Sequence, residues 1–328
     1  MGKCLVTGAC GFIGSALVRA LIDRGESVRG LDDLSTGKLD NIAGLKGPLD
    51  FREVSLLDTA GTAAACEGVE CVFHEAAVPS VPKSVSEPKL TNAVNIEGTL
   101  NLLIAARDAG VKRVIYAASS SAYGESEVLP KREDMVPHPI SPYAVQKLAA
   151  EHYTQAFTRV YGLETVSLRY FNVFGPRQDA NSQYSAVLAK FITQMLQGQS
   201  PTIFGDGEQS RDFTYVDNAV QANLLASQVP AGEVSGKVFN VATGVRYSLN
   251  RTYQMLQEII GFHGAPHYAP ARPGDVRHSV ADISLAQRSL KYVPTVGFED
   301  GLRRTVQWYR DTSPADIGSA TLVSSPTQ

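Results

Sequence analysis

The chain has little cysteine, no surplus of positive charge and no apolar run long enough to span a bilayer. Its 4 cysteines in 328 residues, Cys4, Cys10, Cys66 and Cys71, include no CxxC pair. That is too sparse for a disulfide framework or a thiolate zinc cage, so they read as reduced, buried thiols and no metal is expected. With 30 Lys and Arg against 33 Asp and Glu, the net charge is -3. No basic excess exists to neutralise phosphates along a duplex, which argues against a nucleic-acid partner. No stretch approaches the ~20 apolar residues of a membrane helix, and Met1 leads through Lys3 straight into CLVTG without a signal-peptide core, so the cytoplasm is the expected compartment. What is present, 44% hydrophobic and 19% charged residues, is ordinary for a soluble globular protein of one large domain or two intimate ones.

Through about Leu168, short apolar runs alternate with longer amphipathic stretches, which predicts a parallel, doubly wound α/β sheet. Strands are expected at Cys4 to Thr7, Ser27 to Leu31, Phe51 to Val54, Cys71 to His74, Val114 to Ala118 and Thr165 to Arg169. Helices are expected at Phe12 to Arg24, Pro88 to Ala109 and Tyr143 to Tyr161, the last two stopped by Gly110 and Gly162. Beyond Asn172 the rhythm loosens into loops rich in Gly, Pro and Asp, with helices near Tyr184 to Gln197, Val216 to Ser227 and Leu249 to Ile260. The expected division is residues 1–171, a smaller mixed α/β lobe at 172–311 that can interleave with the first, and a mobile tail over 312–328.

Two local patterns carry chemistry. TGACGFIG places Gly8, Gly11 and Gly14, with Phe12 and Ile13, between a predicted strand and helix. Backbone N–H groups at such a helix start can approach a pyrophosphate unobstructed. The next strand ends in Asp32 and Asp33, where a carboxylate accepts hydrogen bonds from a ribose and repels a 2′-phosphate, favouring NAD over NADP; as a turn or helix cap, Asp33 needs no ligand. In PISPYAVQK, Tyr143 and Lys147 lie at i and i+4 on one helix face. A cation beside a phenol favours the phenolate, which gives a base. The serine run SSSAYG lies just upstream, and read alone it is a solvated turn.

In order and spacing, TGACGFIG, DDLSTG, FHEAA, SSSAYG, YAVQK and RYFNVFGPRQ resemble the extended short-chain dehydrogenase/reductase family as far as about Tyr309. Within it, SVPKS, NSQYSAVL, FGDGEQSRDFTYVDN and RPGDVRHSVADIS look most like UDP-N-acetylglucosamine and UDP-glucose 4-epimerases. The resemblance implies a Rossmann-type domain, NAD as cofactor, a UDP-sugar substrate and a homodimer joined as a four-helix bundle by the helices starting near Pro88 and Tyr143. It implies Tyr143 and Lys147 as the catalytic pair, with Ser119 or Ser120 holding the sugar oxygen. It implies cofactor contacts at Asp58, Ala76, Lys83, Asn95 and Tyr170, although Asp58 and Asn95 also read as simple caps. On the substrate side it implies Lys83, Ser119, Asn172, Arg211, Arg272, Asp275 and Ser279, the last as a small gate residue that leaves room for an N-acetyl group; any single arginine here also reads as half of a surface ion pair with Asp212 or Asp275. Family members that eliminate water or decarboxylate carry an acid beside the serine, where this chain has Ser120, Ser121 and Ala122. Epimerisation at C4 is therefore the expected reaction, against a dehydratase or decarboxylase, or a nucleotide-sensing protein that has lost catalysis.

Overall fold

The computed structural model describes residues 2–126, 128–180, 187–271 and 276–312. One sheet contains β1 (Cys4–Thr7), β2 (Val28–Asp32), β3 (Leu49–Glu53), β4 (Cys71–His74), β5 (Arg113–Ser119), β6 (Glu164–Tyr170) and a last strand, Lys237–Val241. Every pairing is parallel, in the spatial order Lys237–Val241, β6, β5, β4, β1, β2, β3. The order reverses between β1 and β4, and in such sheets a crevice opens at the carboxyl ends of the strands beside the reversal. Strands such as CLVT and CVFH are buried along their whole length, because helices cover both faces of a parallel sheet.

On one face, α1 (Phe12–Asp23) packs through Leu17, Val18 and Leu21 into a cluster with Phe73, Ile115 and Val166 and with Ala219 and Ala222 of α8 (Val216–Gln228). On the other, α2 (Thr59–Cys66), α5 (Gly98–Asp108) and α6 (Pro142–Tyr161) cover Leu5, Val72 and Val114. Two short helices, α3 (Val81–Ser86) and α4 (Pro88–Asn92), lead into α5. The single helix expected from Pro88 to Ala109 is interrupted by a π turn at Ala93–Glu97. That widened turn carries the buried Asn95, whose amide bonds to Val78 and Gln146.

The second lobe gathers α7 (Val187–Leu196) and the helices Leu249–Ile260 and Phe298–Asp311 around Phe174, Phe191, Phe213 and Phe298. Its strands are short: Val173–Phe174 with Thr214–Tyr215, Ser210–Asp212 with Arg246–Ser248, and Thr202–Phe204 with His267–Ala269. The two halves of the sequence interleave, since Lys237–Val241 extends the first-half sheet beside β6. The alternation in KVFNV is too brief to mark that strand in the sequence. Among the described residues, no helix is long and apolar enough to cross a membrane, and no cluster of His, Cys, Asp or Glu is arranged to hold a metal. The four thiols are free and buried.

Candidate active site

A cavity of about 1590 Å³ runs along the carboxyl ends of the strands. A site for one small ligand is roughly 300–1,000 Å³, so this one has room for two. At one end is the turn from β1 into α1. Helix α1 has Gly11 as its N-cap and no side chain capping its first N–H groups, so its positive end is available to an anion. Gly8 has φ +67°, and a Cβ there would lie 2.8 Å from the Ala76 backbone; on Gly14 it would lie 2.0 Å from the Gly8 carbonyl oxygen. No other residue fits at either position without moving backbone. The Asp32 carboxylate lines the cavity and accepts hydrogen bonds from the amides of Cys10 at 2.9 Å and Leu34 at 2.8 Å. Burial pushes its pKa up, and these amides oppose the shift. Asp33 also lines the cavity, but it is exposed and accepts bonds from the Ser35 amide and hydroxyl.

Ser119, Tyr143 and Lys147 stand where β5 ends and α6 begins. Ser141 caps α6 by accepting the Ala144 amide, Pro142 follows in the first turn, and the Tyr143 amide donates to the Ser84 hydroxyl at 3.0 Å. Tyr143 and Lys147 both face the cavity. The Ser119 hydroxyl stands beside the Tyr143 phenol and favours its ionised form. Ser119 in turn accepts the amide of Ser121 at 3.2 Å and its hydroxyl at 2.8 Å. Ser120 lines the cavity without a comparable contact. Lys147 is 4% exposed, with its Nζ 4.5 Å from the centre of the Tyr116 ring.

Burial shifts both members of the pair. Burial raises the Tyr143 pKa, and the Ser119 hydroxyl opposes the shift. Lys147 lies against Tyr116, and burial brings its own pKa down to about 8, with the Glu75 and Glu151 carboxylates opposing. Without further positive charge in the cleft, Tyr143 is a neutral hydrogen-bonding phenol.

Phe12, Ile13, Ala76, Lys83, Tyr170, Asn172, Arg211 and Ser279 line the same cavity. Asn172 takes φ +35° and donates to the Asp212 carbonyl at 3.3 Å. Arg211 donates to the carbonyls of Ser210 and Arg277. Ser279 is half-buried, with its amide bonded to the Ser210 carbonyl at 3.0 Å. Arg272 and Asp275 lie outside the described residues. Asp58 and Asn95 are not in the cavity wall. Asp58 caps α2 by accepting the Gly61 amide, and Asn95 sits inside the π turn, bonded to Val78 and Gln146.

Several residues in or behind this wall carry no sequence signal of their own. Arg177 and Arg19 both line the cavity on the α1 side. Asp212 is no surface ion-pair partner. It is 0% exposed and accepts from the amides of Thr243, Gly244 and Ala281 and from the Thr243 hydroxyl, tying the loops behind Arg211 and Ser279 together. Asn240, on the last strand, accepts the Tyr123 hydroxyl at 2.7 Å and donates to the carbonyls of Lys131 and Asp282.

The chain is similar to known proteins over nearly its whole length. The UDP-glucose 4-epimerase of Mycolicibacterium smegmatis is 38% identical over 315 residues, 95% of this chain and 99% of that protein. The structure of UDP-glucose 4-epimerase from Thermotoga maritima with UDP-glucose superposes with a TM-score of 0.89 at 42% identity, covering 94% of this chain and 98% of that one. UDP-N-acetylglucosamine 4-epimerase from Methanobrevibacter ruminantium, in complex with UDP-N-acetylmuramic acid, gives a TM-score of 0.89 at 43% identity, again over 94% and 98%. With residues 4–242 matching its profile, the chain belongs to the NAD dependent epimerase/dehydratase family.

Proposed function

We propose that this protein is an NAD-dependent 4-epimerase of UDP-hexoses, interconverting UDP-GlcNAc with UDP-GalNAc and UDP-Glc with UDP-Gal. The observation that carries the reading is Tyr143, Lys147 and Ser119 lining one cavity, whose far end is the bare N-terminus of α1. The residues around that end fit a dinucleotide. The amides at Phe12 and Ile13 would meet its pyrophosphate, Asp32 its adenosine ribose, and Lys147 and Tyr170 its nicotinamide half. Bound NAD would supply the acceptor and donor of a hydride, along with a positive charge in the cleft. Tyr143 takes the proton of the sugar 4-hydroxyl and returns it, and Ser119 keeps that oxygen in line. Lys147, protonated, favours the phenolate as the proton moves.

On the opposite wall, Asn172 and Arg211 hold the diphosphate end; Arg272 and Asp275, outside the described residues, are assigned the remaining nucleotide contacts by their sequence motif alone. Lys83 reaches the substrate from α3. The small Ser279 leaves space at C2 of the sugar for an acetamide. Beside Ser119 stand Ser120, Ser121 and Ala122, which supply no acid for elimination or decarboxylation; Glu75, a carboxyl that lines the cavity with Tyr143 and Lys147, is engaged by Tyr170. A homodimer through α4, α5 and α6 is supported by the exposed Leu90, Ile104, Val145, Tyr153 and Tyr161 on those helices. The test is sugar-nucleotide chromatography after incubation with each of the four UDP-sugars. Both C4 pairs are expected to equilibrate. A dehydrated or decarboxylated product, or no conversion of any of the four, contradicts the reading.

A further inference from the structure

Among the ionisable groups that line the cavity, Glu75 has no part in the chemistry assigned to Tyr143 and Lys147. Glu75 follows β4 directly and lines the cavity together with Tyr143, Lys147 and Tyr170. Successive side chains at a strand end point to opposite faces. His74 accordingly meets Thr99 of α5 and the Tyr116 ring, whereas Glu75 meets Tyr170, at the end of β6, and Asn223 of α8. The Tyr170 hydroxyl has a single proton. Asn223 donates to it from Nδ2 at 2.6 Å, so it gives that proton to Glu75 Oε1 at 2.7 Å. The direction of both bonds is fixed, and together they favour an acceptor-only, ionised Glu75 carboxylate.

The charges around Lys147 show what this carboxylate is for. From β4, His74 is fully enclosed, and burial holds its pKa down at about 3, leaving it neutral across the working range. From β5 comes the Tyr116 ring, and from α6 itself the phenol of Tyr143, whose pKa burial raises. Glu151, one helical turn beyond Lys147, is already committed. Both its oxygens accept from Arg169 of β6, at 2.8 and 2.7 Å, with the two side chains 2% and 3% exposed. Glu75 is held by neutral donors, and among the described residues no cation lies within ion-pair distance of it. We propose that Glu75 is a positioning residue for the reaction, its carboxylate aimed by Tyr170 and Asn223 to serve as the counter-charge that keeps the buried Lys147 ammonium protonated. Burial pushes the Glu75 pKa up to about 7 and the Lys147 pKa down to about 8, which places both protonation changes in the range where the enzyme would work.

This rests on Lys147 belonging to the catalytic pair, and the test separates the two ideas. Glu75→Gln keeps an oxygen for the Tyr170 proton and removes the charge. The titration of Lys147 is followed by NMR in full-length protein labelled with carbon-13 at the lysine ε position, without substrate, its signal identified by loss in Lys147→Arg. A carboxylate favours the neighbouring ammonium, so its removal lowers the lysine midpoint. The expected shift in Glu75→Gln is on the order of one pH unit downward, and the alkaline limb of the kcat/KM profile moves to lower pH with it. Tyr170→Phe leaves the carboxylate but takes away the donor that favours its ionised form. A smaller downward shift is expected, and this variant decides the matter if Glu75→Gln does not fold. A Lys147 midpoint unchanged in the variants that fold overturns the proposal, whether or not any UDP-sugar is turned over. Absence of turnover with the midpoint shift intact overturns the epimerase reading and leaves the counter-charge standing.

Discussion

On the wall that carries Ser119, Tyr143 and Lys147, every functional side chain stands at the end of a long buried strand or in the first turns of a 20-residue helix. The opposite wall, with Asn172, Arg211 and Ser279, is made of strands of two or three residues and the loops between them. The first wall inherits its geometry from the sheet. The second depends on hydrogen bonds to a few buried polar groups, chiefly the four bonds that Asp212 accepts. On the proposed function, chemistry sits on scaffold that exists for other reasons, while recognition sits on loops held by one carboxylate. The two walls should fail in different ways when damaged.

The largest effect is expected on the rigid wall. Tyr143→Phe removes the proton acceptor and little else, so kcat/KM should fall by about 10² or more, with the melting temperature and the bound NAD content unchanged. Near-normal turnover would remove Tyr143 from the mechanism, and a large loss of stability would break the contrast between the walls. On the loop wall, Asp212→Ala leaves the Thr243, Gly244 and Ala281 amides without their acceptor. A stability loss on the order of 3 kcal/mol is expected. The KM for UDP-sugar should rise more than kcat falls, and thermal unfolding together with steady-state kinetics measures both. If kcat alone collapsed, the loops would not be a separate recognition element. The smallest and most selective effect belongs to Ser279→Tyr. A phenol in a packed pocket costs ~1–3 kcal/mol where it clashes, and the clash is with an acetamide, not a hydroxyl. Relative kcat/KM for the UDP-GlcNAc and UDP-Glc pairs should move apart by that amount, and equal losses for both would rule out the gate.

The same division runs through what the sequence makes legible. Periodicity located β1, α1 and α6, and the glycine spacing located the turn into α1, because these depend on neighbours along the chain. The Tyr143 and Lys147 pair was legible for that reason, although its charge balance was not: Lys147 lies against Tyr116, a residue of another element, and burial moves the phenol the opposite way. Asp212 and Glu75 left no trace, since an aspartate after an arginine and a glutamate after a histidine look alike on a surface and in a core. Asp58 and Asn95 were legible in part: the turn and cap at Asp58 can be read from its neighbours, whereas the bonds of Asn95 to Val78 and Gln146 reach across the fold.

The pairing of Lys237–Val241 with β6 also bears on how the protein is made. A ribosome delivers β6 well before its outer neighbour, and at about 5–20 residues per second the wait is on the order of ten seconds or less. During that interval β6 presents an unpaired parallel edge, flanked by apolar segments already able to collapse, which is the kind of surface that recruits other chains. The nascent enzyme is thus most exposed to aggregation when its cofactor-binding half has been fully synthesised. Expressing that half alone, with β6 as its terminal strand, would make this brief liability permanent.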